Sequence, residues 1–289
     1  MKTAFLTMDV ESFYDTSCVK NKGITGSLSC AEQVDVYLDL MRSYDAKATL
    51  FVTADFIEEC KAPLLRAIRE GHEIALHALV HESPVKYSKT HFKECIARAK
   101  EIIEEELGVS VKGYRAPCFG IDADKVEILK ELGFLYDSSA LNYKVAYGAG
   151  SLDIGNYQKI NDSVYCDGDF FEVKPTTLSG GGYLRLTPWG ITKSRVERYF
   201  KRADAYVFYV HPFEIYRGEF PKFKQLSAFE RVFVNGGRKK YFTKIEYIFD
   251  RLRQEKFSFP TISGYLETEL KGERGEYFQS GIQGDRAAL

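Results

Sequence analysis

Short apolar runs separated by longer stretches of helical period constrain this 289-residue chain more than any other feature. The runs fall at residues 3–9, 48–53, 73–77, 113–115, 134–137, 170–174, 206–211 and 257–262. Each has the length of a buried strand and none approaches the roughly 20 apolar residues of a membrane span. Between them, residues 31–44 carry Val34, Leu38 and Met41 at helical spacing, and residues 91–107 carry Ile96, Ile102 and Ile103 among charged residues before Gly108. Residues 122–132 are bounded by an Asp cap and by Gly133. Strands alternating with helices are the pattern of parallel strands joined by crossover helices, so the expected fold class is α/β, a distorted or incomplete (β/α) barrel.

On this reading residues 1–265 form one catalytic unit and 266–289 a polar C-terminal tail. Residues 141–169, rich in Tyr, Gly, Asn and Asp, and the aromatic-rich residues 212–242 are expected as loops or a cap over the barrel mouth. Forty basic residues against 41 acidic ones leave a net charge of −1, which gives no electrostatic footprint for nucleic acid. The six cysteines, at 18, 30, 60, 95, 118 and 166, form no CxxC pair and read as reduced thiols. Met1 leads straight into a candidate strand with no room for a signal peptide, so the expectation is a soluble cytoplasmic protein with no integral membrane segment.

In a β/α barrel, function collects at the carboxyl ends of the strands. Ionisable groups stand there repeatedly: Asp9 and Glu11 after the first strand, His77 and His81 after the third, Arg115 after the fourth, Asp137 after the fifth and His211 after a late one. An ionisable group at the edge of a core is costly unless it is used or paired, so their shared placement points to a site. An HxxxH pair is common by chance, but two imidazoles beside an acidic pair can face one ion, with one carboxylate as third ligand and the other as base. His72, in a turn, and His91, opening a helix, read as structural or exposed.

The residues resemble the polysaccharide deacetylases with the NodB homology domain, carbohydrate esterase family 4, whose five motifs stand here in order. They are Thr7-Met8-Asp9-Val10-Glu11, His77-Ala-Leu-Val-His81, Arg115-Ala-Pro117-Cys-Phe119, Asp137-Ser-Ser139 and Val210-His211-Pro212. Gly180-Gly-Gly-Tyr183-Leu-Arg185 and His211-Pro-Phe-Glu214 are similar to the branch associated with bacterial surface-polysaccharide synthesis. The resemblance implies a NodB-like deacetylase barrel over about residues 1–265. It also implies a divalent ion, zinc first, with cobalt, manganese or nickel as other candidates. The family's first motif holds two adjacent aspartates, a base and then a metal ligand, whereas Val10 follows Asp9 here. Residues two apart on a strand share a face, so Glu11 is the natural substitute, and which carboxylate meets the ion stays open.

The expected chemistry is amide hydrolysis. Glu11, His77 and His81 hold an ion that activates water and polarises the acyl carbonyl, Asp9 accepts the water's proton, and His211 protonates the departing amine. Arg115 pairs with Asp9 and keeps it ionised. By resemblance, Asp137 hydrogen-bonds His211, and backbone N–H groups around Cys118 and Phe119 serve as oxyanion donors. Gly180-Gly181-Gly182 reads either as a close approach to a ligand or as a loop needing positive φ, and Tyr183, Arg185 and Trp189 as sugar-site lining or as packing. The expected substrate is an N-acetylated sugar on a nucleotide-linked or lipid-linked glycan precursor. Alternatives are a metal-independent carbon–nitrogen hydrolase on the same scaffold, allantoinase-like or a deformylase, and a non-catalytic carbohydrate-binding relative.

Overall fold

In the computed structural model, which describes residues 2–26, 28–141, 150–176, 180–220 and 223–270, the side chains of the first strand divide the molecule into two cores. Ala4, Leu6, Met8 and Val10 pack with the surrounding helices, whereas Phe5 packs with Phe51, Ala75, Tyr136, Phe171 and Val207 from other strands. That two-residue alternation makes one face of every central strand the inside of a barrel.

The strands are β1 (Lys2–Val10), β2 (Ala48–Thr53), β3 (Glu73–Ala78), β4 (Gly113–Tyr114), β5 (Tyr136–Asp137), β6 (Gln158–Lys159), β7 (Val164–Asp167), β8 (Phe170–Val173), β9 (Ala205–Val210) and β10 (Phe257–Ser258). The helices are α1 (Ser17–Lys20), α2 (Glu32–Ser43), α3 (Ile57–Arg69), α4 (Lys89–Leu107), α5 (Ala123–Glu131), α6 (Gly181–Leu186), α7 (Trp189–Arg202), α8 (Pro212–Ile215), α9 (Ala228–Asn235), α10 (Tyr241–Gln254) and α11 (Ile262–Tyr265). Local signals place the main ones. Ser88 caps α4, whose C-terminal Gly108 is left-handed, and the Asp122 side chain caps α5.

Parallel pairing runs β9-β1-β2-β3-β4-β5-β8, with β10 beside the start of β1. Between β8 and β9 the ladder thins: Thr176 N–H reaches Val207 O at 3.4 Å, Val207 N–H reaches Thr176 Oγ1 at 3.0 Å, and Gly180 and Tyr209 form a single bridge. The result is the distorted α/β barrel that the strand pattern predicts.

Residues 158–167 correct the expectation of a loop over the mouth. They form an antiparallel hairpin, β6–β7, on β8, and Val164 and Cys166 pack into the barrel interior. Its turn lies on the N-terminal side of the strands, where Asp162 N–H reaches Asp204 and Asn161 Nδ2 reaches the Tyr265 hydroxyl. There α11 closes the barrel: Ile262 N–H bonds Thr49 Oγ1, Ser263 N–H bonds Glu73, and the Tyr265 ring stands edge-on to Phe5. Residues 142–149 of the same expected loop, residues 221–222 of the expected cap and the tail beyond 270 lie outside the described residues. In the cap, Phe213, Phe220, Leu226 and Val234 pack on Phe13, just past β1. The six cysteines are free thiols, and among the described residues no helix is long and apolar enough to cross a membrane.

Candidate active site

The alternation that turns Phe5 inward also turns Thr7, Asp9 and Glu11 inward, and on β3 it turns His77 inward after Ala75. His81 follows in the turn after β3. Glu11 Oε2 lies 2.7 Å from His81 Nε2 and 3.4 Å from His77 Nε2. The ligand atoms of Glu11, His77 and His81 all fall within 4.8 Å of one another, and all three residues are buried. His77 Nδ1 lies 2.7 Å from the Arg115 carbonyl oxygen, which can only accept, so Nδ1 carries the proton and Nε2 presents its lone pair to Glu11. Glu11 Oε2, although buried, has no aligned hydrogen bond. Two imidazole nitrogens converging on an orphaned carboxylate oxygen fit a divalent cation. Burial opposes ionisation of Glu11, but the imidazoles of His81 and His211 outweigh it and hold its carboxyl well below the usual range.

Asp9 is tied elsewhere. Arg115, fully buried, donates from Nη1 to Asp9 Oδ1 at 2.6 Å and to Thr7 Oγ1 at 2.8 Å, while its Nε and Nη2 donate to Ser138 O and Oγ. Its guanidinium also lies 4.0 Å above the Phe51 ring. The expected Arg115–Asp9 pair is thus present, and the structure separates the two carboxylates that the sequence left open: Glu11 meets the imidazoles and Asp9 meets the guanidinium.

Opposite them, His211 Nε2 stands 3.9 Å from Asp9 Oδ2 and 4.0 Å from Glu11 Oε1. Its Nδ1 lies 2.9 Å from Glu214 Oε2, which also accepts from the His211 backbone N–H. Buried Arg185 donates from Nε to Glu214 Oε1 at 3.1 Å and from Nη1 and Nη2 to the carbonyls of Gly236 and Phe233. Burial disfavours the charged imidazole, but the Glu214 hydrogen bond and the charge of Glu11 push it up to about 9. Glu214, penalised by burial, is held below the usual carboxylate range by His211 and Arg185.

The expected Asp137–His211 bond is corrected by strand parity. Tyr136 points into the barrel, where its ring fills the space that a side chain at Gly113 would take. Asp137 therefore points to the outer face, beside Glu172 of β8. It accepts from Ser139 Oγ and N–H, while Glu172 Oε1 accepts from the N–H groups of Ser139 and Ala140. Burial raises both carboxyls, Asp137 to about 6. Ser138 is the residue that faces the site from this strand end.

Cys118 and Phe119 both adopt φ of 56°, a strained left-handed pair just beyond Arg115. The Phe119 N–H is donated to Ala116 O at 2.9 Å, so it is not an oxyanion donor in this arrangement. The triple glycine resolves as packing: a Cβ on Gly180 would stand 1.8 Å from Tyr209 O, and Gly181 has φ of 54°. Trp189 packs edge-on to Tyr247, and Arg185 serves Glu214 rather than a sugar. His72 Nδ1 accepts from Ala48 N–H and burial lowers it to about 4, a structural role, while His91 is exposed. Glu214 as the partner of His211 had a legible signal, because His-Pro-x-Glu is the spacing by which an N3 glutamate reaches back to the N-cap.

Comparison with known proteins fits this geometry. Residues 20–136 match the family model described as polysaccharide deacetylase, and residues 170–267 match a domain of unknown function, DUF3473. A peptidoglycan deacetylase from Helicobacter pylori is 28% identical over 105 residues, 36% of this chain and 36% of that protein. The chain thus spans about a third of the length of that relative. The fold is similar to that of a candidate polysaccharide deacetylase from Mycobacterium smegmatis, with a TM-score of 0.59 at 19% identity over 94% of this chain and 92% of the other. It is also similar to a carbohydrate esterase family 4 pseudoenzyme from Bacillus anthracis, with a TM-score of 0.53 at 12% identity over 92% and 65%. One architecture thus carries both a candidate enzyme and a pseudoenzyme, so activity has to be argued from the site.

Proposed function

We propose that the protein is a metal-dependent N-deacetylase that hydrolyses the acetamido group of a sugar in a surface-glycan precursor, a reading supported by the match of residues 20–136 to the polysaccharide deacetylase family model. The observation that carries the reading is the meeting, at one end of the barrel, of Glu11 with two imidazoles, Asp9 with Arg115, and His211 with Glu214. Because β1 and β9 both contribute, residues 1–265 act as one catalytic unit.

Glu11, His77 and His81 would hold a divalent ion, which when bound would lower the pKa of water and polarise the acyl carbonyl. Asp9 accepts the proton of the attacking water, and the Arg115 hydrogen bond aims its carboxylate. His211, kept charged by Glu214, donates its Nε2 proton to the amine nitrogen as the carbon–nitrogen bond breaks. Acetate and the free amine leave, and of the two protons that water brought, one restores His211 and the other goes to solvent. Six free thiols suit a reducing compartment, and with it a nucleotide-linked or lipid-linked precursor as substrate.

Acetate release from N-acetylated sugars tests the reading. Turnover is expected with the protein as purified, to fall on chelation, and to return with zinc, cobalt, manganese or nickel. Turnover that survives complete metal removal sinks metal dependence, and no acetate under any condition sinks the deacetylase.

A further inference from the structure

Helix α9 turns its apolar side chains outward. Phe229 is 79% exposed, Val232 58% and Phe233 36%, at the i, i+3, i+4 spacing that makes one face, and only Val234 turns inward, onto the cluster around Phe13 and Phe213. The apolar surface continues past the helix. A Cβ on Gly182 would meet Phe233 at 3.3 Å, and one on Gly236 would meet Leu186, itself 38% exposed, at 2.8 Å. Three large apolar residues on one helix face, joined to a fourth, form the kind of contiguous patch that marks an interaction surface.

The helix is held rigidly in that posture. Ser227 and Glu230 form a capping box at its start, and Arg185 grips the carbonyls of Phe233 and Gly236 at its end. Charge identifies the occupant. Arg217, Lys224, Arg231, Arg238 and Lys239 line a groove beside α9 together with Glu219 and Glu246, a net +3 within a chain of net −1. Glu230 is committed to its cap and to Lys22. A second copy seated here would set two such basic grooves against each other, whereas an anionic surface complements them.

We infer that α9 docks the protein on an anionic lipid bilayer, with Phe229, Val232 and Phe233 entering the headgroup boundary and the surrounding lysines and arginines meeting lipid phosphates. Aromatic and aliphatic tips beside a basic groove are the make-up of interfacial helices, in which cations add electrostatic attraction to the burial of apolar area. The link to the site is short: the Phe233 carbonyl bonds Arg185, Arg185 bonds Glu214, and Glu214 bonds His211. Docking here brings the His211 side of the site to the membrane, where a lipid-carried glycan would present its sugar.

Co-sedimentation of the full chain with vesicles tests this without any turnover, so its failure and the failure of the deacetylase reading are distinguishable. Binding is expected to vesicles containing phosphatidylglycerol and to be far weaker with phosphatidylcholine alone. Phe229→Ser with Val232→Ser should weaken it about tenfold or more, with thermal unfolding and acetate release from a soluble sugar unchanged. Lys239→Glu with Lys240→Glu should remove the preference for the anionic lipid. The inference is overturned if the wild-type chain binds neither vesicle, or if the Phe229/Val232 double variant binds as tightly as wild type. It is also overturned if that double variant abolishes a self-association while no vesicle is bound.

Discussion

The two halves of the site are built on related plans from distant parts of the chain. On β1, the proposed base Asp9 is held directly by a buried arginine, Arg115. On the β9 side, the proposed acid His211 is held by a buried carboxylate, Glu214, which is held in turn by a second buried arginine, Arg185. The extra link follows from charge. A base must stay anionic, so one cation suffices, whereas an acid must stay protonated and needs an anion, and a buried anion needs its own cation. Arg185, which does not touch the imidazole, stands to the proposed acid as Arg115 stands to the proposed base.

The sharpest way to break that parallel is on β1 itself. Asp9→Asn should lower kcat by about 10²–10⁴-fold while metal analysis still finds the ion, and Glu11→Gln should lose the ion. The reverse result would exchange the two carboxylates. Next in size, Arg185→Met leaves Glu214 buried without its cation and should cost about 3–5 kcal/mol in denaturant unfolding, with kcat reduced as well. Unchanged stability would mean that the arginine is not what holds the acid half together.

The smallest effect concerns pH. The proposed mechanism needs the protonated form of His211, which is lost as pH rises through its raised value of about 9, so activity should decline on that alkaline limb. Glu214→Gln removes the largest force raising that value, so the limb should move to lower pH, with kcat near neutrality falling about tenfold. A pH–rate profile with an unmoved limb would separate Glu214 from the acid.

Much of this was legible because it is local. Strand and helix periods announced the barrel, and parity within one strand placed Asp9 and Glu11 on a common face, as the structure has them. Parity also explains the miss at Asp137. The run expected at 134–137 resolves to two strand residues with Tyr136 inward, so the carboxylate after it faces Glu172 outside the barrel. The hairpin at 158–167 escaped notice because its strands are two and four residues long, too short to show a period.

The alternation of long strands and helices along the chain, the ligand types and the shared face of Asp9 and Glu11 were all legible in the sequence, since periodicity depends only on neighbouring residues. Partner choice was decided by the tertiary structure alone. Arg115 finds Asp9 across 106 residues, Arg185 finds Phe233 across 48, and the imidazoles select Glu11 over Asp9 because a guanidinium already occupies the shorter carboxylate. A buried charge pairs with whichever opposite charge folding brings within reach, and only closure of the barrel sets that distance.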